Sequence, residues 1–217
     1  MVSTGSIRVI DNPAARVLLS KLRDKNTPTP EFRRLLQKAG FITAVEISTE
    51  VPLEERVVKT PLEAEAKAFE FTKLAIIAVL RAALPMVWGL LEIYENAAVG
   101  FISAKRREVK EGSSLNLDLD VDVNYASLPE DFQIAVIVDP MLATGSTMKR
   151  VVSRVLETAR PQHLIVATLI STQVGIKRLF EVAPHASLYT FAIDPELNSK
   201  AFIIPGLGDA GDRAFNG

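Results

Sequence analysis

The chain has 217 residues, 48% of them hydrophobic and 24% charged, with 12 Pro and 11 Gly, which excludes a disordered chain or a fibrous repeat. That length suffices for one core, burying roughly 70% of the extended chain's surface, and falls short of two. With 25 Lys and Arg against 26 Asp and Glu the net charge is -1, so no global basic field draws the chain to nucleic acid or an anionic membrane, and the absence of Cys removes disulfides, thiolate metal sites and a cysteine nucleophile.

Met1 to Asn12 lacks the basic-then-apolar pattern of a signal peptide, so a soluble, cytoplasmic protein is expected. Asn12 reads as an N-cap, with Pro13 at the first helical position and Val17, Leu18 and Leu22 as an apolar stripe. A second start at Thr29-Pro30 carries Phe32, Leu35, Leu36 and Ala39 on one face, with Arg33, Arg34 and Lys38 on or beside it. The pair, about 12–40, reads as an N-terminal helical appendage. Glu54 to Thr60 looks extended, and Thr60-Pro61-Leu62-Glu63 has capping-box spacing that predicts a helix to about Lys73.

Strand-length apolar runs follow at Leu74 to Leu80, Ala97 to Ile102, Ile134 to Val138, Leu164 to Ile170 and Leu188 to Ile193. Helical patterns separate several of them: Val87, Leu90, Leu91 and Tyr94; Met148, Val151, Val152 and Val155; Ile176, Leu179, Phe180 and Ala183. Continuous apolar strands alternating with amphipathic helices predict the α/β class, one domain over 1–217 built on a mostly parallel sheet flanked by helices. In such sheets ligands sit beyond the carboxyl ends of the strands. One insertion, about 108–131, breaks the alternation: Leu115, Leu117, Leu119, Val121 and Val123 alternate with Asn116, Asp118, Asp120, Asp122 and Asn124, predicting an extended β-arm with one apolar and one acidic face. The acids do not make a calcium loop, because Val123 stands where the turn glycine belongs.

The chemistry concentrates in Val136 to Thr147. A buried strand ends in an acid, Asp139, followed by the small-residue loop Pro140-Met141-Leu142-Ala143-Thr144-Gly145 and a helix start at Ser146-Thr147. Successive backbone N–H groups in such a loop form a nest for phosphate, the three hydroxyls add donors, and Asp139 suits sugar hydroxyls beside it. A sugar phosphate fits this pattern, although a strand-to-helix turn of small residues needs no ligand. It is not a Walker loop, because Lys149 is misplaced. His163 and His185 lack the spaced partners of a metal site or a triad and read as structural.

Asp139 to Gly145 resembles the phosphoribosyl pyrophosphate (PRPP) loop of the uracil phosphoribosyltransferase family, with Pro140 in place of the second acid of most relatives. Ile203-Ile204-Pro205-Gly206-Leu207-Gly208-Asp209-Ala210-Gly211-Asp212-Arg213 is similar to that family's uracil-binding segment, and Leu80 to Met86 to its arginine loop. The resemblance implies the type I phosphoribosyltransferase fold and the reaction of uracil with PRPP to give UMP and diphosphate in pyrimidine salvage.

It further implies that Arg81, Arg106 and Asp209 are catalytic, that these three and Asp139 to Thr147 bind PRPP, and that Ile203, Gly208, Asp209 and Ala210 read uracil largely through the backbone. Magnesium, Mg2+, is implied as Mg-PRPP, held through PRPP and water with no protein metal ligands, as are a homo-oligomer, GTP as activator and CTP as inhibitor. Arg33, Arg34 and Lys38 are the candidate allosteric surface. No nucleic acid or membrane partner is expected. Two departures stand out. Ala104-Lys105-Arg106-Arg107 differs from the usual pattern, and the family usually has Gly-Gly-Ser where this chain has Gly145-Ser146-Thr147, so a required positive φ would strain Ser146. A PRPP-sensing regulator without turnover, or a phosphoribosyltransferase for another nucleobase, remain the alternatives.

Overall fold

The computed structural model describes residues 5–106 and 121–216. In chain order, β1 (Ser6–Val9) leads to α1 (Pro13–Arg23), α2 (Thr29–Ile47) and a hairpin of β2 (Leu53–Lys59) and β3 (Glu65–Phe71). Then come β4 (Leu74–Leu80), α3 (Leu84–Leu91), β5 (Ala98–Arg106), β6 (Val121–Ser127), β7 (Ile134–Val138) and β8 (Met141–Leu142). After α4 (Ser146–Thr158) follow β9 (His163–Ala167), β10 (Ile170–Thr172), α5 (Gln173–Val182), β11 (Ser187–Thr190) and β12 (Ala192–Asp194). A short hairpin, β13 (Glu196–Leu197) with β14 (Ile203–Ile204), precedes α6 (Ala210–Phe215).

Seven strands form the central sheet in the order β1-β11-β9-β7-β4-β5-β6, and only β5 with β6 is antiparallel. Because side chains alternate across a strand, Ile76 and Ala78 of β4 face one layer while Ile77 and Val79 face the other. The first layer packs against α1, α2, α3 and α6, and the second against α4 and α5. This is the α/β class the apolar runs predicted.

Three expectations need correction, and the β-arm falls only partly within the described residues. The N-terminal helices are no appendage: Leu22, Phe32, Leu36 and Ile47 are wholly buried in the same core as Ile76 and Val136, and α2 runs on to Ile47. The segment after Thr60 is β3, not a helix. Thr60 does accept a local hydrogen bond, from the Leu62 N–H at 3.3 Å, but within a turn where Glu63 has φ 60. Cap and turn use the same side-chain chemistry, and pairing along the whole of β2, with Arg56 to Glu70 and Lys67 to Glu55 ion pairs, decides for the strand. The described end of the acidic arm, Val121–Ser127, is the edge strand of the main sheet, paired to β5; Leu115 to Asp120 lie outside the described residues. Finally, the last two apolar runs are each broken in two, β9 from β10 and β11 from β12.

The break recurs at one level. Strands β8, β10 and β12 form a second small parallel sheet beyond the ends of β7, β9 and β11. Buried hydroxyls fill the offset: Thr168 Oγ1 and Ser171 Oγ lie 2.9 Å apart, Ser171 donates to Thr190 Oγ1 at 3.1 Å, and Thr190 to the Ala192 carbonyl at 3.0 Å. Groups the bent ladders leave unpaired are thereby satisfied.

Two glycines let α2 and α3 cross at backbone contact. A Cβ at Gly40 would sit 1.9 Å from the Met86 carbonyl oxygen, and one at Gly89 would sit 1.9 Å from that of Gln37. Gly89→Ala is therefore expected to lower the unfolding free energy by about 2 to 3 kcal/mol through overpacking, read by urea denaturation; a loss under ~0.5 kcal/mol would contradict this crossing.

Candidate active site

The carboxyl ends of β4, β5 and β7 open into a cleft of ≈ 440 Å³ with three walls. The corner after β4 supplies Leu80, Arg81 and Ala82; the loop between β7 and α4 supplies Asp139, Met141 to Gly145 and Thr147; the tail supplies Ala201, Phe202 and Asp209 to Asp212. The Leu80–Arg81 and Ile204–Pro205 peptides are cis.

The loop owes its shape to a few contacts. Asp139 Oδ1 accepts from the Met141 N–H at 3.3 Å, and Gly145, with φ 80, caps α4 in the left-handed region that glycine enters without a Cβ penalty. Ser146 opens α4 and is not among the residues of positive φ, so the strain expected there does not arise: the turn needs one glycine, and Gly145 is it. Thr144 Oγ1 accepts from the Ser146 N–H at 3.4 Å and donates to Ser146 Oγ at 3.2 Å.

Asp209 caps α6 by accepting from the Asp212 N–H at 2.9 Å, and Asp212 in turn pairs with Arg81 at 2.7 Å. Behind them the tail is bolted to the core. Asp194, only 4% exposed, takes both Arg23 guanidinium arms at 2.8 and 2.7 Å and the Gly206 N–H at 2.9 Å. Arg23 also donates to the Gly206 carbonyl at 2.8 Å. Arg213 donates to the carbonyls of Leu22, Leu207 and Asp24 and lies over the Phe32 ring at 4.1 Å. Burial pulls its guanidinium below the usual arginine value and the Asp24 carboxylate opposes this, so Arg213 stays charged.

The fold thus brings Arg81, Asp139, Met141 to Gly145, Thr147, Asp209 and Ala210 to one cleft. Pro140, Ser146, Ile203 and Gly208 support its walls without lining it, Ile203 being buried in the core. The Arg106 side chain lies outside what the structure describes. Arg34 and Lys38 line a separate apolar groove with Val17, Leu18 and Phe41, while Arg33 is exposed and does not line it.

Among the described residues no cluster of three or more His, Asp, Glu or Cys could hold a metal, and no helix is long and apolar enough to cross a membrane. The carboxylates of Asp139, Asp209 and Asp212 nonetheless share the cleft with Arg81. Such an oxygen-rich wall suits a magnesium ion that arrives on an anionic ligand and keeps its other ligands as phosphate oxygens and water.

A family model described as uracil phosphoribosyltransferase matches residues 9–217. The chain belongs to the uracil phosphoribosyltransferase family. The uracil phosphoribosyltransferase of Pyrobaculum arsenaticum is 43% identical over 96% of this chain and 98% of its own, and that of Sulfolobus acidocaldarius 38% identical over 97% and 99%. A solved structure of an Aquifex aeolicus protein superposes with a TM-score of 0.87 at 30% identity, covering 96% of this chain and 97% of that one. The match to the uracil phosphoribosyltransferase family therefore spans the loop, the arginine corner and the tail together.

Sequence reasoning missed Arg23 and Asp194, whose pairing spans most of the chain and leaves no local signal, and Phe202, an aromatic at the cleft beside the Ile203 that was singled out. Asp194→Ala is expected to cost about 2 to 3 kcal/mol of stability, because a mostly buried Arg23 loses its partner. The same variant should raise KM for the base more than KM for the sugar phosphate; urea denaturation and steady-state kinetics read the two effects.

Proposed function

We propose that the chain transfers the phosphoribosyl group of PRPP to uracil, giving UMP and diphosphate in pyrimidine salvage. The observation that carries this reading is the meeting of phosphate loop, arginine corner and glycine-rich tail in one cleft. The nest of residues 143 to 147 holds the 5-phosphate, and Asp139 accepts hydrogen bonds from the ribose hydroxyls. Arg81, with Arg106, takes the diphosphate. In the free enzyme Arg81 rests on Asp212, so donor binding exchanges a half-exposed carboxylate partner for a polyanion. The tail, turned by positive φ at Gly206 and Gly208, brings the backbone N–H and C=O groups of Asp209 and Ala210, which line the cleft, to the uracil edge.

The bond between ribose C1 and the diphosphate oxygen breaks as uracil N1 forms its bond to C1 and gives up its proton to the departing diphosphate or to water, through a state with cationic sugar character. The chain's task is therefore alignment and neutralisation of the leaving charge rather than nucleophilic attack. Magnesium bound with PRPP supplies further neutralisation of that charge, with Asp139 and Asp209 as the residues within the cleft to meet it. Phosphorylated substrates do not cross membranes, which favours a cytoplasmic setting.

Arg81→Ala is expected to lower kcat/KM by about 2 to 4 kcal/mol in transition-state terms while leaving the fold intact. Diphosphate release measured with a panel of bases tests the assignment: uracil should lead, and preference for another base, or donor binding without turnover, would overturn it.

Self-association and regulation are part of the same proposal. The β2–β3 hairpin exposes Leu53, Val57 and Phe69, an apolar surface that suits burial by another subunit. The groove with an apolar floor at Val17 and Phe41 and a rim of Lys21, Arg34 and Lys38 suits a base and a triphosphate, the place proposed for GTP or CTP. Light scattering should show at least a dimer, and GTP should change turnover in wild type but less in Arg34→Ala/Lys38→Ala; a monomer or unchanged kinetics would sink the respective claim.

A further inference from the structure

Helix α5 lies in direct contact with the back of the phosphate loop. A Cβ at Gly175 would sit 2.5 Å from the Leu142 carbonyl oxygen and 2.6 Å from that of Ala143, and one at Gly145 would sit 2.9 Å from the Arg178 Cβ. The residue that caps α5 and one side chain of α5 hold successive loop carbonyls. The Thr172 hydroxyl, which accepts the capping bond from the Gly175 N–H, donates to the Ala143 carbonyl at 2.7 Å. Arg178 donates from one guanidinium nitrogen to the Thr144 carbonyl at 3.1 Å and to Ser146 Oγ at 3.0 Å.

We propose that Arg178 is a positioning residue for the donor's phosphate, acting through the loop peptide it holds. In a trans peptide the C=O and N–H point to opposite sides. A Thr144 carbonyl fixed toward α5 therefore turns the Gly145 N–H away from α5, and Thr172 does the same for the Thr144 N–H. The far side is the cleft: Ala143, Thr144 and Gly145 line it, and no α5 residue does. Two adjacent N–H groups aimed one way, next to a left-handed Gly145, are the elements of an anion nest. The guanidinium also polarises the peptide it binds, strengthening the donor at its other end.

Ser146 thereby acquires a role. Its hydroxyl accepts from the same Arg178 nitrogen that holds the Thr144 carbonyl, so the start of α4 and the α5 side chain are tied together. Because Arg178 stays behind the loop, its effect belongs to holding the donor rather than to the base or the chemical step.

The inference rests on the loop holding the donor's 5-phosphate, so the experiment includes Thr147→Val, at a residue that lines the cleft itself. Steady-state kinetics with PRPP and uracil varied independently, together with thermal melting, are measured for Arg178→Met, Arg178→Lys and Ser146→Ala. Arg178→Met is expected to raise KM for PRPP about fivefold to twentyfold, with kcat and KM for uracil within about twofold of wild type. Arg178→Lys should recover most of this, to within about threefold, and Ser146→Ala should show about a twofold rise, since the contact to the Thr144 carbonyl remains. If Thr147→Val raises KM for PRPP but Arg178→Met does not, the role of Arg178 is refuted while the loop's role stands; if neither does, the loop placement falls. Equal rises in both KM values with a lowered melting temperature and no recovery by Lys would reduce Arg178 to a structural prop and overturn the proposal. Should Arg178→Met not fold, Arg178→Ala takes its place: KM for PRPP unchanged from wild type in that variant overturns the proposal.

Discussion

A carboxylate almost without solvent, Asp194 at the end of β12, sets the arrangement of the cleft. Burying a charge costs several kcal/mol unless geometry and hydrogen bonding restore what water supplied. Here the restoration comes from Arg23 at the last turn of α1 and the Gly206 N–H of the tail, while Arg23 turns a further donor to the Gly206 carbonyl. None of the three elements can leave without stranding a charge or a peptide group, so the strand end, the helix end and the tail are fixed as one unit. Arg213 repeats the device a few residues on, spending its donors on carbonyls of the α1 end and the tail.

From that anchor the tail reaches the cleft already shaped. Gly206 cannot carry a side chain, because a Cβ there would meet the Ile203 carbonyl oxygen at 2.1 Å. Beyond it Asp209 caps α6, and Asp212 of that short helix holds Arg81, so the tail and the arginine corner are linked even without ligand. The opposite wall is built by the level at which β7, β9 and β11 break. The small parallel sheet of β8, β10 and β12 lifts the phosphate loop and Asp194 to the same side of the main sheet, and buried hydroxyls of Thr168, Ser171 and Thr190 make that break tolerable. The polar residues of this core are thus the joints that place the loops.

Charge follows the same economy. A protein with a net charge of -1 has no field to spare for a polyanionic substrate. The described part of the cleft even sets three carboxylates beside Arg81. Under the proposed function, affinity for phosphate comes from oriented peptide dipoles and from cations placed within reach of them, the role proposed for the loop, α4 and Arg178 together.

Much of this was legible in the sequence. The buried strands at Leu74–Leu80 and Ile134–Val138 appear where the apolar runs put them, since a strand covered on both faces must be apolar throughout. The Asn12 and Pro13 helix start, and the strand end and helix start that flank the loop from Asp139 to Thr147, were visible because capping and turn chemistry are local and depend on residue types at fixed spacing. What sequence reading misjudged at Thr60 was a segment whose local signal serves a cap and a turn alike, and only pairing with β2 chose between them. Nor does any local pattern announce that Arg23 meets Asp194, that α5 braces the loop through Thr172 and Arg178, or that α1 and α2 belong to the core. Those contacts join residues far apart in the chain. The sequence by itself determined the elements and the chemical types at their ends; the tertiary structure alone decided which charge faces which, because the cost of an unpaired buried group is settled only when the layers close.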